Sequence, residues 1–164
     1  MNGRIIWLAG RPSSGKSTLA HNLAIAFRKI GLSVVVLDGD QTRAWLTPDC
    51  DFTPEGRERN IRRTLKVARL IADAGVCVIC AYVTPYTYLQ KDVMQSGADL
   101  IVVDTPLDVC KLRDAKGLYE ANTPDIEVFE IEYCQVYTVN GTLHPDVLCR
   151  EVLWGITQCN TPCI

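Results

Sequence analysis

The residues best suited to chemistry lie near the N-terminus, in a glycine-rich loop that directly follows an apolar stretch. Residues 10–17 read Gly-Arg-Pro-Ser-Ser-Gly-Lys-Ser, a complete G-x-x-x-x-G-K-S pattern, and the apolar residues 5–9 precede them. This order predicts a strand, a loop of backbone N–H groups and a helix N-terminus, which together can bind a phosphate chain. Lys16 would reach the β- and γ-phosphates, and the Ser17 hydroxyl would ligate Mg²⁺. The alternative is a glycine-serine turn whose lysine is merely solvated.

Two carboxylates follow the next apolar stretch. Residues 33–37 read as a strand buried on both faces, and Asp38 and Asp40 follow it with one glycine between them. Thr84 and Asp104 also follow predicted strands. In a parallel sheet the ligand lies beyond the carboxyl ends of the strands, so we expect all these side chains to face one crevice with the phosphate loop. Carboxylates beside a bound triphosphate can ligate Mg²⁺ through water or accept a hydroxyl proton, whereas the alternative for each residue is a turn at a strand end.

Four arginines lie close together near residue 60. Arg57, Arg59, Arg62 and Arg63 fall within seven positions, which favours a small anionic ligand. A helix spreads residues at these spacings around its circumference, so it cannot direct all four at one pocket, and part of the cluster should be a solvated face. The formal net charge of -2 argues against a nucleic-acid partner, because general nucleic-acid binding needs a basic surface.

The rest of the sequence alternates predicted strands and helices. Strands are predicted over residues 5–9, 33–37, 76–82 and 100–103, and helices over residues 16–29, 54–74, 86–95, 107–113 and 145–156. Thr53 should cap the long helix, with Pro54 at its first position. Residues 115–140 lack sustained periodicity and are predicted to form a mobile lid with little regular structure. The order predicts an α/β fold with a parallel sheet flanked by helices, formed by one domain over residues 1–164.

The composition and the cysteines predict an ordinary globular protein of the cytoplasm. The chain is 48% hydrophobic and 22% charged, and it has no apolar run of membrane-span length and no signal-peptide pattern, so no membrane partner is expected. Cys77 and Cys80 fall in a predicted strand, where positions three apart point to opposite faces, so core packing is favoured over a shared metal or redox site. His21 and His144 are too few and too separated to indicate a zinc site.

Beyond the phosphate loop, a series of short stretches is similar to the adenylylsulfate (APS) kinase family of P-loop kinases. These stretches are Asp38-Gly39-Asp40 with Arg43, Phe52 followed by Arg57, Asn60-Ile61-Arg62-Arg63, Thr84-Pro85-Tyr86, Asp104-Thr105-Pro106-Leu107-Asp108-Val109-Cys110, Arg113-Asp114-Ala115-Lys116-Gly117-Leu118-Tyr119, and Phe129. The Asp-Gly-Asp triplet is weak evidence alone, whereas Asn-Ile-Arg-Arg and Lys-Gly-Leu-Tyr together are fairly specific. The resemblance runs to about residue 130 and implies a P-loop NTPase-type sheet with a lid.

The resemblance implies an enzyme of sulfate assimilation that transfers the γ-phosphoryl group of ATP, with Mg²⁺, to the 3′-hydroxyl of APS, giving PAPS. The implied nucleotide contacts are Gly10, Ser13, Ser14, Gly15, Lys16, Ser17, Thr18 and Arg113. The implied catalytic residues are Lys16, Asp38 and Asp40, of which Asp38 or Asp40 acts on the acceptor hydroxyl, and the implied metal ligands are Ser17 and Asp40. The implied acceptor contacts are Arg43, Phe52, Arg57, Asn60, Ile61, Thr84, Lys116, Gly117, Leu118 and Phe129. Phe52 and Phe129 would sandwich the acceptor's adenine. The oligomeric state is left open, and a homodimer is one alternative.

The chain departs from the family pattern around the lid. The family usually carries arginines after the Pro-Tyr pair, where this chain has Thr87 and Gln90, and a basic stretch after Lys-Gly-Leu-Tyr, where this chain has Glu120. The loss of positive charge favours, as the alternative, a kinase for another nucleotide, such as a cytidine diphosphoramidate-type acceptor. A further alternative is a non-catalytic nucleotide-binding regulator, which the retention of Lys16 and both carboxylates disfavours.

Overall fold

The centre of the molecule is a parallel β-sheet with helices on both faces, as the sequence predicted. The structure, a computed structural model, describes residues 3–121, 125–132 and 136–158. Within these ranges five strands pair in the order β2-β3-β1-β4-β5, and each pairing is parallel. The strands are β1 (Ile5–Ala9), β2 (Val34–Asp38), β3 (Cys77–Tyr82), β4 (Asp99–Asp104) and β5 (Tyr137–Asn140). The helices are α1 (Lys16–Lys29), α2 (Gly39–Trp45), α3 (Pro54–Asp73), α4 (Thr87–Gln95), α5 (Leu107–Leu112) and α6 (Pro145–Gln158).

The strand pairing brings three loops to one edge of the sheet. Ala9, the last residue of β1, pairs with Tyr82 of β3 and with Val102 of β4. Asp38, the last residue of β2, pairs with Ala81 of β3. Because parallel strands end at the same edge, the phosphate loop after β1, the carboxylates after β2 and the loop after β3 converge there.

The helices pack on the two faces of the sheet through separate apolar cores. On one face, Ile6 and Leu8 of β1 pack with α1 and α6. On the other face, Ile5 and Trp7 pack with α3 and α4. Every residue of β1 is at most 2% exposed, and burying each large apolar side chain contributes about 1.5–3 kcal/mol. The phosphate loop therefore begins from the most buried strand of the molecule.

Two of the helices begin at capping side chains. Thr53 Oγ1 accepts a hydrogen bond from the Gly56 backbone N–H at 3.1 Å, and Pro54 occupies the first position of α3. This start of α3 confirms the sequence prediction. Asp38 Oδ1 accepts a hydrogen bond from the Asp40 backbone N–H at 3.0 Å and so caps α2. The cap fixes the direction in which the Asp40 side chain leaves the sheet edge.

The prediction for residues 115–140 is wrong at its C-terminal end. Residues 137–140 form β5, whose pairing with β4 ends where Asp104 faces Asn140. The strand has four residues, of which only Val139 is buried, so the sequence carries no sustained alternation there. Residues 122–124 and 133–135 of the predicted lid lie outside the described residues.

Cys77 and Cys80 point to opposite faces of β3, which confirms that prediction. Cys80 belongs to the core beneath α3 and α4, whereas Cys77 packs against the core beneath α1 and α6. Among the residues that the structure describes, no group of three or more His, Cys, Asp or Glu side chains could hold a metal ion. In the same part of the chain, no helix combines the length and the apolar character needed to cross a membrane.

Candidate active site

A cavity of about 610 Å³ lies at the carboxyl edge of the sheet. Its volume is typical of a small-molecule site, for which about 300–1,000 Å³ is usual. The phosphate loop lies at its middle, because the loop follows β1, the central strand. The part toward β2 and β3, here called the β2–β3 end, is lined by Asp38, Gly39, Asp40, Arg43, Phe52, Arg57, Asn60, Ile61, Ala81, Tyr82, Val83, Thr84 and Pro85. The part toward β5, here called the β5 end, is lined by Arg113, Gly141, Leu143, Pro145 and Leu148.

The phosphate loop has the backbone that its glycines predict. Gly15, at the start of α1, has a φ of 100°, in the left-handed region that favours glycine. A Cβ at Gly10 would lie 2.7 Å from the Val103 carbonyl oxygen, so a larger residue does not fit against β4. Thr105 Oγ1 donates to the Ser14 carbonyl oxygen at 3.0 Å and holds the loop from behind. Among the predicted nucleotide contacts, Ser13, Gly15, Lys16, Ser17, Thr18 and Arg113 line the cavity, whereas Gly10 and Ser14 do not.

Lys16 is almost fully buried within the phosphate loop. Its side chain donates to the Arg11 carbonyl oxygen and to Ser14 Oγ, the latter at 3.3 Å, and the residue is 7% exposed. Burial lowers the pKa of Lys16 from 10.5 to about 8, because the charged form loses hydration. An anion in the cavity would therefore strongly stabilise the charged form of Lys16.

Ser17 and the two carboxylates form a polar cluster beside Lys16. Ser17 Oγ donates to Asp38 Oδ2 at 2.6 Å, while Asp38 Oδ1 accepts from the Asp40 backbone. The Asp40 carboxylate forms an ion pair with Lys116. The hydrogen bond to Asp40 raises the pKa of Lys116. Asp38, rather than Asp40, is thus the carboxylate in contact with the Ser17 hydroxyl.

The hydroxyl of Ser17 and the carboxylate of Asp38 suit Mg²⁺, which prefers hard oxygen ligands. Together they offer few protein ligands, and no larger cluster of candidate metal-binding side chains occurs in the described ranges. Magnesium in such sites usually keeps several waters and takes its remaining ligands from phosphate oxygens. The residues present therefore fit a magnesium ion that arrives with a nucleotide.

Arginines and an aromatic ring build the β2–β3 end. The Arg43 guanidinium lies 4.4 Å from the centre of the Phe52 ring, and it donates to the backbone oxygens of Cys50 and Asp51 at 2.5 and 2.6 Å. Arg57 Nε donates to the Phe52 carbonyl oxygen at 2.9 Å. Burial lowers the pKa of both Arg43 and Arg57. The two arginines fix the loop that carries Phe52, whose ring stays 46% exposed at the cavity.

The remaining predicted residues of this end are buried and hydrogen-bonded. Asn60 Oδ1 accepts from Thr47 Oγ1 at 2.7 Å, and Ile61 lies beside it in α3 at 2% exposure. Thr84 Oγ1 accepts from the Trp7 indole N–H at 2.8 Å. Thr84 also has a φ of 45°, which a β-branched residue adopts only when its surroundings hold it there.

The segment after α5 lies against the phosphate loop. This lid segment, described over residues 113–121 and 125–132, includes Tyr119, whose hydroxyl donates to the Pro12 carbonyl oxygen at 2.9 Å. Asp114 accepts from the Tyr119 backbone N–H at 2.9 Å and from Ser13 Oγ at 3.4 Å. These bonds, with the ion pair of Lys116, tie the lid segment to both the phosphate loop and α2.

Three residues predicted to contact the acceptor do not line the cavity. Gly117 and Leu118 are absent from its walls, although the neighbouring Lys116 is part of them. Phe129 is half-buried, packs against the core beneath α3 and α4, and has the Arg11 guanidinium 5.8 Å from its ring centre. In this conformation the rings of Phe52 and Phe129 are not both at the cavity.

The arginine cluster is divided as the helix geometry predicts. Arg57 lines the cavity, whereas Arg62 pairs with acidic residues of α3 and α4, and Arg63 pairs with Asp49. Arg59 is exposed.

Asp104, which was expected at the crevice, does not line the cavity, so that expectation is wrong. Asp104 ends β4 beside Asn140, the last residue of β5, and the residue after β5, Gly141, lines the cavity.

Of the residues that line the β5 end, the sequence predicted only Arg113 and missed Gly141, Leu143, Pro145 and Leu148. Arg113 donates to the Gly141 carbonyl oxygen at 2.8 Å. A Cβ at Gly141 would lie 1.9 Å from Thr105 Oγ1, so the turn after β5 accommodates only glycine. The Asn-Gly pair at residues 140–141 is a turn signal. It would have predicted a turn at the carboxyl edge of the sheet only if residues 137–140 had been recognised as a strand.

The fold and the site together define a P-loop nucleotide-binding protein of the kinase type, with a lid segment over the phosphate loop. The family model for adenylylsulphate kinase matches residues 2–132, and the chain belongs to this family. This membership confirms the resemblance seen in the sequence.

Individual relatives agree with the family assignment. The chain is 43% identical over 120 residues to the bifunctional enzyme NodQ of Rhizobium tropici, a match covering 71% of this chain and 19% of the relative. It is 41% identical over 122 residues to the adenylyl-sulfate kinase of Erwinia tasmaniensis, covering 72% of this chain and 61% of the relative. These matches thus span less than two thirds of either relative.

A solved structure shares the fold along nearly the whole chain. The Mycobacterium tuberculosis APS kinase CysC, in complex with AMPPNP and APS, superposes with a TM-score of 0.84 at 29% identity. The match covers 95% of this chain and 98% of that protein's chain. The P-loop NTPase-type fold predicted from the sequence is therefore confirmed.

Proposed function

We propose that this chain transfers the γ-phosphoryl group of ATP to the 3′-hydroxyl of APS, giving PAPS. The observation that carries the proposal is one continuous cavity with a phosphate loop at its middle and an arginine-aromatic pocket at its β2–β3 end. Phosphoryl transfer needs two reactants held in line and their charge neutralised, more than it needs covalent help from the protein.

In this proposal ATP occupies the phosphate loop and the β5 end. The N–H groups at the start of α1 and the Lys16 ammonium bind the phosphates. Arg113, Leu143 and Leu148 line the β5 end, which offers apolar surface and one cation to the adenosine. Magnesium, held by Ser17 with Asp38 beside it, would neutralise charge on the β- and γ-phosphates.

APS occupies the β2–β3 end in the same proposal. Arg43 and Arg57 provide positive charge for its phosphosulfate group, and the half-exposed Phe52 offers its ring to the adenine. Asp38 or Asp40 orients or deprotonates the 3′-hydroxyl. For the Asp40 carboxylate to do this, its ion pair with Lys116 has to loosen when the acceptor enters.

The experiment that tests the proposal is a screen of acceptors by ADP release. The purified chain with Mg²⁺ and ATP is given APS, cytidine nucleotides or other nucleotides in turn, and the phosphorylated product is identified by mass. We expect ADP release that depends on APS, with PAPS as the product. Acceptor-dependent turnover with a cytidine nucleotide alone would assign the alternative kinase, and binding of ATP with no turnover would assign the regulator.

One observation favours keeping the alternative acceptor in that screen. Thr87 and Gln90, where the family usually has arginines, are uncharged and add no positive charge to the site, and both donate hydrogen bonds to Glu130. An acceptor with less negative charge would suit this uncharged region better than it would suit the arginine-rich region that is usual in the family. Cytoplasmic localisation and a homodimer stay predictions from the sequence.

A further inference from the structure

Gln90 is a buried polar residue of α4 that joins two segments of the site. Its side chain is 2% exposed. Its amide nitrogen donates to the Thr84 carbonyl oxygen at 3.1 Å and to the Glu130 carbonyl oxygen at 2.8 Å. Both N–H groups of one planar amide are thereby used, and a buried amide persists only where its hydrogen bonds are satisfied.

The first segment is the loop after β3, at the wall of the cavity. Thr84 and Pro85 line the β2–β3 end, and Thr84 has the left-handed φ described above. Such a conformation in a β-branched residue has to be held from outside. The Trp7 indole holds the side chain of Thr84, and Gln90 holds its carbonyl oxygen.

The second segment is the part of the lid segment that carries Phe129. Glu130, the next residue, donates its backbone N–H to the Pro85 carbonyl oxygen at 2.8 Å. Its carboxylate accepts from the backbone N–H and the hydroxyl of Thr87 at 2.8 and 3.0 Å. Residues 125–132 are therefore attached to the cavity wall through Glu130. Gln90 bonds Glu130 itself and Thr84, the residue before Pro85.

A glutamine suits this place because the site requires two donors and no charge. A carboxylate of the same shape would face two carbonyl oxygens and repel both. A methionine of similar length would fill the space but leave both carbonyl oxygens without these donors. The shorter asparagine keeps the amide but cannot reach both oxygens from the same backbone position.

We propose that Gln90 is a positioning residue that fixes the Phe129-bearing part of the lid segment to the acceptor wall of the cavity, and so sets acceptor affinity without affecting ATP affinity. This inference rests on the proposed function, because it assigns the β2–β3 end to the acceptor. Gln90 itself does not line the cavity, so its effect is transmitted through Thr84 and Glu130.

The kinetic test uses Gln90→Met and Gln90→Glu, with Lys91→Met as the matched control. Lys91 is the next residue of α4 and contacts the same segment, but through an exposed ion pair with Glu132 at 3.2 Å. We expect both Gln90 variants to raise the KM for APS at least tenfold and to leave the KM for ATP within twofold. The control should change neither KM. Equal changes in both KM values, or unchanged KM values in folded Gln90 variants, would overturn the proposal.

A second measurement does not depend on turnover. Hydrogen exchange of the Glu130 backbone N–H, which bonds to Pro85, should be at least tenfold faster in Gln90→Met than in the parent protein, and unchanged in Lys91→Met. If Gln90→Met does not fold, the milder Gln90→Asn provides the same comparison. Unchanged exchange in a folded Gln90 variant contradicts the positioning role. If the parent protein shows no APS-dependent transfer, the proposed function fails, while the exchange result still decides whether Gln90 fixes this segment.

Discussion

The phosphate loop and the β2–β3 end of the cavity are built in opposite ways. The loop consists of eight consecutive residues, 10–17, anchored to the most buried strand of the sheet. The β2–β3 end assembles side chains from β2, α2, α3 and the loop after β3, and its arginines are bonded to the backbone beside Phe52. In the proposed function, the local backbone of the loop would bind the triphosphate of a nucleotide, whereas the side chains brought together at the β2–β3 end would determine which acceptor fits.

The largest effect should come from the phosphate loop. We expect Lys16→Ala to lower kcat by at least about 10²–10³-fold, because removing a single preorganised donor to a developing charge costs about that much. The fold should persist, since Lys16 is a buried cation that the apolar core does not need. The measurement is kcat of Lys16→Ala beside that of the control Lys29→Ala, which changes an exposed lysine at the end of the same helix and should leave kcat unchanged. Near-normal turnover in folded Lys16→Ala would exclude the mechanism.

The carboxylates between the two regions should have the next largest effect. Asp38→Asn or Asp40→Asn should lower the transfer rate about 10²–10⁴-fold, the range for losing a positioned acid or base, and weaken ATP binding far less. Rates at saturating substrates and ATP titrations separate the two quantities. Asp73→Asn, in an exposed pair with Arg69, is the control. Full transfer rates in both the Asp38 and the Asp40 variant would show that these two carboxylates have a structural role only.

The same contrast explains what the sequence could predict. The strand, loop and helix around Lys16 are encoded by neighbouring residues, so the pattern alone specified them. Asp38 was predicted at the site, but its bond to Ser17 depends on the pairing of distant strands and has no signal in either segment. The four-residue β5 was missed because it is stabilised by β4 rather than by its own pattern. The cavity residues that follow it, Gly141, Leu143, Pro145 and Leu148, were missed with it, whereas Arg113 of the same end was predicted.

The acceptor region should respond selectively to loss of its aromatic rings. Phe129→Ala and Phe52→Ala should each raise the KM for the acceptor about tenfold or more and leave the KM for ATP nearly unchanged, since base stacking on an aromatic ring contributes about 1–3 kcal/mol. For Phe129 this requires the side chain to turn toward the cavity, because its ring packs away from the cavity while the backbone of the neighbouring Glu130 is bonded to the cavity wall. Steady-state kinetics and thermal unfolding check both variants. Equal loss for both substrates, or lower stability with an unchanged acceptor KM, would argue against the sandwich.

The smallest effect concerns protonation of Lys16 in the phosphate loop. Its pKa is about 8 in the protein alone, so Lys16 loses its proton as the pH rises through 8. Phosphate oxygens favour the charged form and raise this pKa again. ATP should therefore bind more weakly above pH 8 and take up protons as it binds. Calorimetry at pH 8.5 in two buffers of different ionisation enthalpy measures the uptake, and equal heats in both buffers would contradict it.

The central claim is that one cavity holds two nucleotides, one at the phosphate loop and one at the β2–β3 end. Calorimetric titration of APS into the protein saturated with Mg²⁺ and AMPPNP tests it most directly. We predict that one APS binds per chain without displacing AMPPNP, and that Phe52→Ala weakens APS binding while AMPPNP binding is retained. Displacement of AMPPNP by APS, or no binding of APS to the saturated protein, would contradict the account.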